Sequence, residues 1–551
     1  MQPQGKAREL FEAFSRLNNF AYADTRLLAN HVLSKAPHCN DILERFLRGE
    51  APRRFSRLEV AKQVVKCWVV NIGAWFLLLG ERIAQARAGL RVLPKVTAMR
   101  DSLTVVDIFT LVHRINMEGK FRDYYLPGLY EVLEERGHNC VILARMYGSR
   151  DPRVLRQTFE ILREHPQPVL TENELMTFAD WLRLLWFAIS FPLAVLRITA
   201  LLANDGAEGQ IKAALLACLP DCYLSGECRR LAGRRLAEIL PQSARIISWY
   251  ENQVVDKCFY RGLAEGGSLV RTYAAQFLTW PPTLLNNHAD PADAKHKAAP
   301  AFVAVNGPYF IPRPLASLPG AQQEHGSAAE ASGAATAPAP PPGTISGPDA
   351  ETGPAPRYFP YVPGPAYGVG PALRYKPVFE RELAPDPDGP ALFLLSYHPD
   401  ETRRCLAMAK PLAEAGVPTA FKFHPATNVE DFRDLLPADA RLVKGALSEA
   451  LEGVSLVIGA GSGALCEAVA MGVPAINVEP VEGLGLNYLP DYGQGQLWDR
   501  ATSAAELLAA REKLLDNARK GDNKRTEVIR AFRGQVFGEP TVDSIVRTFD
   551  L

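Results

Sequence analysis

Val457-Ile-Gly-Ala-Gly-Ser-Gly-Ala-Leu-Cys-Glu-Ala-Val-Ala-Met-Gly-Val-Pro474 leaves an apolar run through glycines and enters a short helical pattern. Gly459, Gly461 and Gly463 remove side chains where a loop must approach a ligand closely, and Ser462 with the first helical amides offers donors to an anion. Glu467, one turn into the helix, would repel a phosphate but can accept hydrogen bonds from two ribose hydroxyls. Gly472 and Pro474 then stop the helix and restart a strand. The unit predicts a parallel α/β sheet with a nucleotide at its loop. The same glycine turn and cap also occur in α/β proteins that bind nothing there.

The alternation extends outward from this unit. Strands are predicted over Ala391–Tyr397, Thr419–Phe423, Arg441–Lys444, Ser455–Ile458 and Ala475–Val478, with helices over Pro399–Ala415, Val429–Leu436 and Ser448–Leu451 between them. Such strands joined by helices form a doubly wound sheet covered on both faces. Phe421-Lys-Phe-His-Pro425 ends one of them, because proline cannot continue a sheet. The carboxyl end of a strand opens onto the ligand crevice, so Lys422 and His424 are candidates to reach a nucleotide phosphate.

A second α/β half precedes the first. Leu103–Val112 reads as a strand, His113–Asp123 as a polar loop, Tyr125–Arg136 as a helix closed by Gly137, and Asn139–Met146 as the next strand. Ala244–Trp249, Gln253–Leu263, Ser268–Gln276 and Ala301–Val305 continue it as strand, helix, strand and strand. At the end of one strand stand Glu251, Asn252 and Gln253; a carboxylate at that edge suits a general base for an acceptor hydroxyl, or alternatively a helix cap. Asp107, His113 and Asp123 flank another junction and are weaker candidates. The chain therefore divides into a helical region 1–99, a first lobe 100–312 with a helical insertion 170–240, an insertion 313–357, and a second lobe 358–551. Within 316–356, 32 of 41 residues are Ala, Pro, Gly, Ser or Thr, too few apolar groups to offset the entropy of ordering, so this stretch is predicted disordered.

Length and charge agree with this division. A chain of 551 residues exceeds one ordinary core, and 61 basic against 61 acidic residues leave no overall field for a nucleic-acid backbone. The nine cysteines read as free thiols of a reducing cytoplasm; Cys218, Cys222 and Cys228 lack zinc-ligand spacing, so no metal site is expected. Two aromatic-rich apolar stretches, Cys67–Leu79 and Leu184–Leu196, are flanked by Arg53, Arg54, Arg57, Lys62, Lys66, Arg82, Arg87, Arg91, Lys95, Arg183 and Arg197. Each is about 13 residues, short of the roughly 20 needed to cross a bilayer. They suit helices lying in the interface of an anionic membrane, or equally two core helices.

The pairing of Lys422-Phe-His424-Pro425 with a Ser-bearing glycine loop and Glu467 resembles the GT-B glycosyltransferases of bacterial surface polysaccharide biosynthesis. The motifs are especially similar to those of sialyl-, polysialyl- and Kdo-transferases that use CMP-activated sugars. Tyr250-Glu-Asn-Gln253, Val305-Asn-Gly307 and Val369-Gly-Pro-Ala-Leu-Arg374 extend the likeness more loosely to surface-carbohydrate synthesis proteins. The resemblance implies two Rossmann-like lobes, with Ser462 and nearby amides binding the CMP phosphate, His424 stabilising it as it departs, and Glu467 holding the ribose. Glu251 would be the base of an inverting transfer. Polysialyltransferase-type loops usually carry paired serines, whereas Ser462 stands between Gly461 and Gly463, so UDP- and GDP-sugars stay open. No Asp-x-Asp adjoins these motifs, so no metal is expected, nor any cofactor beyond the nucleotide-sugar substrate.

The expected enzyme works on the inner face of a cytoplasmic membrane, extending a lipid-linked glycan such as a lipopolysaccharide or capsule precursor. Three other readings remain: a nucleotide-sugar epimerase, an inactive membrane-associated scaffold, and an NAD- or flavin-dependent oxidoreductase. The last is suggested by Gly459-x-Gly461-x-x-Ala464 with Glu479 about 20 residues on.

Overall fold

The computed structural model describes residues 3–33, 39–99, 102–281, 284, 286, 290–312, 365–425, 427–437, 440–481, 485–520 and 523–551. The insertion read as disordered, 313–357, lies outside the described residues.

Two all-parallel sheets form. The first contains β1 (Leu103–Leu111), β2 (Asn139–Tyr147), β3 (Val169–Thr171), β4 (Arg245–Trp249), β5 (Arg271–Gln276), β6 (Phe302–Val305) and β7 (Ala366–Val369), in the order β3-β2-β1-β4-β5-β6-β7. The second contains β8 (Ala391–Leu395), β9 (Thr419–Phe423), β10 (Arg441–Leu442), β11 (Leu456–Gly459), β12 (Ala475–Val478) and β13 (Trp498–Ala501), in the order β10-β9-β8-β11-β12-β13. Each order runs one way from an interior strand and then reverses beside it, at β1/β4 and at β8/β11. These are two Rossmann-like lobes, and each reversal opens a crevice at the carboxyl ends of its strands.

β1 reads as an almost unbroken apolar run because helices cover both faces of its sheet. Its exception is Asp107, fully buried. Arg145 of β2 donates to both Asp107 oxygens at 2.9 and 2.7 Å, and Arg229, from a helix of the insertion, donates at 2.8 Å. The two guanidiniums also reach Asp256 and Glu172, each at 2.9 Å. Those guanidiniums hold the Asp107 carboxyl below its ordinary range against the opposing effect of burial. Asp107, a weaker site candidate in sequence, is thus a structural anchor.

Several elements differ from the sequence expectations. The supposed polar loop His113–Asp123 begins as a helix, Val112–Glu118, because Val112 and Ile115 share a buried face and Asn116 donates to Thr158 Oγ1 at 2.6 Å. The expected helix 429–436 is a 3₁₀ helix, Val429–Leu435, in which Phe432 is the buried residue and no apolar stripe supports full α-turns. Residues 366–369, within the stretch read as the second lobe, instead add β7 to the first sheet beside β6. Gly368 permits this pairing, since a Cβ there would lie 2.7 Å from the Phe302 ring. Helix Asn523–Val536 also crosses back. Arg525 and Arg533 donate to the carbonyls of Gly472 and Ala470 in the second lobe, while Ala372 donates to Gly538 O at 2.9 Å and Phe537 packs on Tyr375 at 4.6 Å. Gly307 and Gly370 of the Val-Asn-Gly and Val-Gly-Pro stretches are where this crossover docks, with the backbones of Val536 and Gly538 against them.

The helices of 1–99 and 170–240 share one core, which includes Phe14, Cys67, Phe187, Phe191 and Tyr223. Both apolar stretches lie in helices longer than the stretches themselves, Arg57–Ala88 with 32 residues and Phe178–Leu201 with 24. By length and composition alone, each is apolar enough to cross a membrane. Each is nevertheless fixed to the protein along one flank: Trp68 and Trp75 donate to the carbonyls of Ile189 and Trp181 at 2.9 and 3.0 Å, and Asn71 accepts from Tyr223 N–H at 3.0 Å. Ala84 and Ala88 enter the first lobe's core.

Removing the shared carboxylate should strand two buried guanidiniums. Asp107→Ala is expected to lower the unfolding free energy by about 3 to 5 kcal/mol. Urea denaturation checks this; a loss under about 1 kcal/mol would show that the anchor is dispensable.

Candidate functional site

The carboxyl edges of the two sheets face one another. Thr279, just after β5, fills the space above the Gly463 Cα where a side chain would otherwise stand. The charge of Glu251 in the first lobe reaches Tyr397 of the second and raises its phenol pKa, an effect second to that of burial.

Glu251 sits on a turn after β4 that the buried ion network holds. Asp256 accepts from the backbone N–H of Glu251 at 3.0 Å and of Gln253 at 3.1 Å, while Arg145 donates to Asp256 and to the Trp249 carbonyl. Asn252 between them takes a left-handed conformation, φ 52°, tolerated because Tyr250 Oη donates to its side chain and that side chain donates to the Asn286 carbonyl. The Glu251 carboxylate accepts from Trp249 Nε1 and Gln253 Nε2, each at 2.8 Å. Burial pushes its pKa up, and Asp256 adds to the rise; the Trp249 hydrogen bond and the guanidiniums of Arg145 and Arg374 oppose it. A carboxylate oriented by two donors and raised toward neutrality has the properties of a general base.

In the second lobe, His424 follows β9, its N–H donating to Leu395 O at 3.1 Å, and its ring lies 5.4 Å from that of Tyr397. Burial and then His398 lower its pKa. His398 belongs to a second strand-His-Pro arrangement, Tyr397-His398-Pro399 after β8, whose repetition of the Phe423-His424-Pro425 pattern was a legible signal. Lys422 donates to Gly445 O at 2.6 Å, so a phosphate there would have to draw the ammonium from that carbonyl.

The glycine loop lies at the β8/β11 reversal. Gly461 has φ 56°, where a non-glycine residue is strained, and a Cβ there would meet Glu401. At Gly459 the space is taken by Leu394 O and the Leu465 side chain. At these two glycines, and at Gly463 under Thr279, the absent side chain serves close packing of the loop against neighbouring protein atoms. Ser462 is half-buried in this loop. Glu467, on the seven-residue helix Ala464–Ala470, is pushed up by burial to about 7, with Arg374 opposing the rise. The lobes are thus linked pairwise here: the charge of Glu251 acts on Tyr397, the His424 ring lies 5.4 Å from that of Tyr397, Arg374 acts on both Glu251 and Glu467, and Thr279 packs on Gly463 of the loop.

A cavity of about 600 Å³ in the first lobe runs from Glu251 past Tyr125 and Arg145 to Leu78 and Glu81 of helix Arg57–Ala88. Glu81 accepts from Asn173 at 2.8 Å and is raised to about 7 by burial and then by Glu172. Sequence reading missed it, although a lone carboxylate directly after the run Trp75–Gly80 was a signal. His113 lies exposed beside Gly148, and Asp123 caps the Tyr125 and Leu126 amides at 2.7 and 3.0 Å. Asp386-Pro-Asp388 forms a turn before β8, at the opposite edge of the sheet from the cleft. Among the described residues no group of three or more His, Cys, Asp or Glu side chains is arranged to hold a metal ion.

No family model matches the chain. No curated protein matches it. Among solved structures it is similar to Acinetobacter baumannii MurG, with a TM-score of 0.34 and 12% identity over 78% of this chain and 99% of that one. It is also similar to the spinosyn rhamnosyltransferase SpnG complexed with thymidine diphosphate, at 0.35 and 14% over 82% and 100%. Anabaena HepE in complex with UDP and glucose matches at 0.36 and 9% over 81% and 98%. The functional reading rests on the geometry of this chain.

Two raised carboxyls make stability depend on pH. Native Glu81 and Glu467 hold a proton up to about 7, whereas the unfolded chain releases it near 4.5. The native state binds more protons in that window, so stability is highest below pH 4.5 as far as these groups are concerned and falls as pH rises to 7. In chemical denaturation, Glu81→Gln should gain on the wild type by roughly 1 to 3 kcal/mol between pH 5 and pH 8. A constant difference across that range would contradict the assignment.

Proposed function

We propose that the chain is a glycosyltransferase. It moves a sugar from a nucleotide-activated donor, a CMP-sugar in first place, onto a lipid-linked or surface polysaccharide acceptor. The observation that carries the reading is that groups of both Rossmann-like lobes are near Tyr397: the charge of Glu251 acts on its phenol, and the His424 ring lies 5.4 Å from its ring. The donor lies in the second lobe, with its phosphate at Ser462 and the amides of Gly459, Gly461 and Gly463, and its ribose on Glu467. The acceptor occupies the first-lobe cavity beside Glu251.

The reaction is a single displacement with inversion and without metal. Glu251 takes the proton of the acceptor hydroxyl, the acceptor oxygen bonds the anomeric carbon, and the nucleotide departs with the electrons of the broken carbon–oxygen bond. Its charge is met by His424 and the loop amides, and by Lys422 only when its ammonium is drawn from the Gly445 carbonyl. No cofactor beyond the donor takes part, and the balanced charge of the chain argues against a nucleic-acid partner.

A lipid-linked acceptor is supported by two exposed stripes. Helix Arg57–Ala88 presents Val65, Val69, Phe76 and Leu77, and helix Phe178–Leu201 presents Leu182, Trp186, Ile189 and Leu193, all 40% exposed or more. Lys62, Lys66, Arg87, Arg183 and Arg197 stand exposed around them. An apolar patch rimmed by cations suits the headgroup boundary of an anionic bilayer, here the inner face of a cytoplasmic membrane, with the protein peripheral. The acceptor cavity reaches Leu78 and Glu81 of the same helix, so a lipid-borne sugar would meet Glu251 without leaving the surface.

Three results test this. In a thermal-shift screen of CMP, UDP, GDP and NAD, one sugar-donor nucleotide should raise the melting temperature and NAD should not; a response to NAD alone would favour the oxidoreductase. Glu251→Gln should reduce turnover by roughly 10² to 10⁴-fold while the nucleotide shift persists, whereas an inactive scaffold shows no turnover to lose. In flotation assays the protein should bind vesicles of phosphatidylglycerol and phosphatidylcholine over phosphatidylcholine alone, and Phe76→Ser with Trp186→Ser should abolish binding; retention by the double variant would remove the membrane reading.

A further inference from the structure

We infer that Arg374 is the cation that binds the phosphate of the donor nucleotide in the cleft, an assignment that rests on the nucleotide-sugar reading above. Arg374 stands in the 3₁₀ turn Leu373–Tyr375, where the chain leaves β7 for the second lobe. Its guanidinium lies 5.3 Å from the Trp249 ring, 5.5 Å from the Tyr125 ring and 6.0 Å from the Tyr375 ring. Three aromatic rings restrict a side chain that is nevertheless exposed, so the guanidinium is held in place while its N–H groups stay accessible.

The position is central to the site. Trp249 donates its indole N–H to Glu251. Thr279 neighbours Tyr375, opposing the rise that burial imposes on its phenol, and Thr279 Oγ1 sits over Gly463 of the glycine loop. Arg374 therefore lies between the base and the loop, and its charge acts on both Glu251 and Glu467. Among the described residues no carboxylate oxygen comes within 4.0 Å of it.

Charge balance explains why a cation is needed there. Glu251 and Glu467 both lie within reach of the Arg374 charge, and once ionised they would repel an anionic nucleotide entering beside them. Arg145 is committed to Asp107 and Asp256, Arg404 to Glu401 at 2.7 Å, and Lys422 to Gly445 O. Arg374 has no such commitment, and a guanidinium fork matches two phosphate oxygens at once. The Val369–Arg374 stretch, set apart in sequence only by a loose likeness, thus supplies both the docking glycine of the crossover and the charge of the cleft.

Calorimetric titration of the full chain with CMP, UDP and GDP, each against its nucleoside, tests the assignment. The wild type should bind one nucleotide roughly tenfold or more tighter than its nucleoside. Arg374→Ala should reduce that ratio to under about twofold with nucleoside affinity unchanged, and Arg374→Lys should fall between, since it keeps the charge but loses the fork. Unliganded melting temperatures verify folding; should the alanine variant not fold, the lysine variant must still show the reduced ratio. A full ratio in the folded variants overturns the role of Arg374 and leaves the donor reading intact. Failure of the wild type to bind any of the three nucleotides overturns both.

Discussion

The buried carboxylate of Asp107 is the point on which the first lobe and its chemistry hang. A charge in the centre of a parallel strand is sustained only when its desolvation is offset by several donors, and here two guanidiniums, from β2 and from the helical insertion, supply them. Through Arg145 the same network extends to Asp256, and Asp256 accepts from the two amides that hold the Glu251 turn. The proposed base is therefore positioned by an ion cluster three strands wide. That gives a structural reason for a charged residue in a strand otherwise built of Val, Ile, Leu, Phe and Thr.

The cleft depends on a second constraint, the return of the C-terminal chain. Helix Asn523–Val536 is fixed to carbonyls of the second lobe by Arg525 and Arg533, and the residues just after it dock on the first lobe at Asn306, Gly307 and Gly370. Helix Val542–Phe549 then packs on the first lobe, with Phe549 6.3 Å from Tyr273 and from Phe277. The two lobes are thus joined twice, once through the β7 turn that carries Arg374 and once through this crossover. Sites that need groups from both lobes, such as Glu251 with Tyr397, depend on those connections. Helix Arg57–Ala88 lines the first-lobe cavity through Leu78 and Glu81 while exposing Val65, Val69, Phe76 and Leu77.

Much of this architecture was legible from local pattern. Strand-loop-helix alternation marked both lobes, Gly459 to Gly463 marked the loop at the second reversal, and the strand ending at Trp249 marked Glu251, because hydrophobic period and glycine placement are properties of neighbouring residues. Tyr397-His398-Pro399 carried the same information as Phe423-His424-Pro425 and could have been read with it. Arg374 was marked in sequence only by the loose likeness of Val369–Arg374, which gave it no role. Its position depends on rings at 125 and 249, more than a hundred residues away, and on a turn whose place follows from β7 joining the first sheet.

The amino-acid sequence by itself determined that this chain builds two parallel α/β halves, that a glycine loop and a histidine end strands of the second, and that two apolar helices carry basic flanks. Those are consequences of side-chain size, polarity and backbone freedom over a few residues. Only the tertiary structure decided that Asp107 is an anchor, that 366–369 joins the first sheet, that the chain after 523 crosses back to the first lobe, and that Arg374 stands where its charge acts on both Glu251 and Glu467. Burial, ion pairing and the meeting of two lobes are long-range properties, set by which distant segments exclude water together.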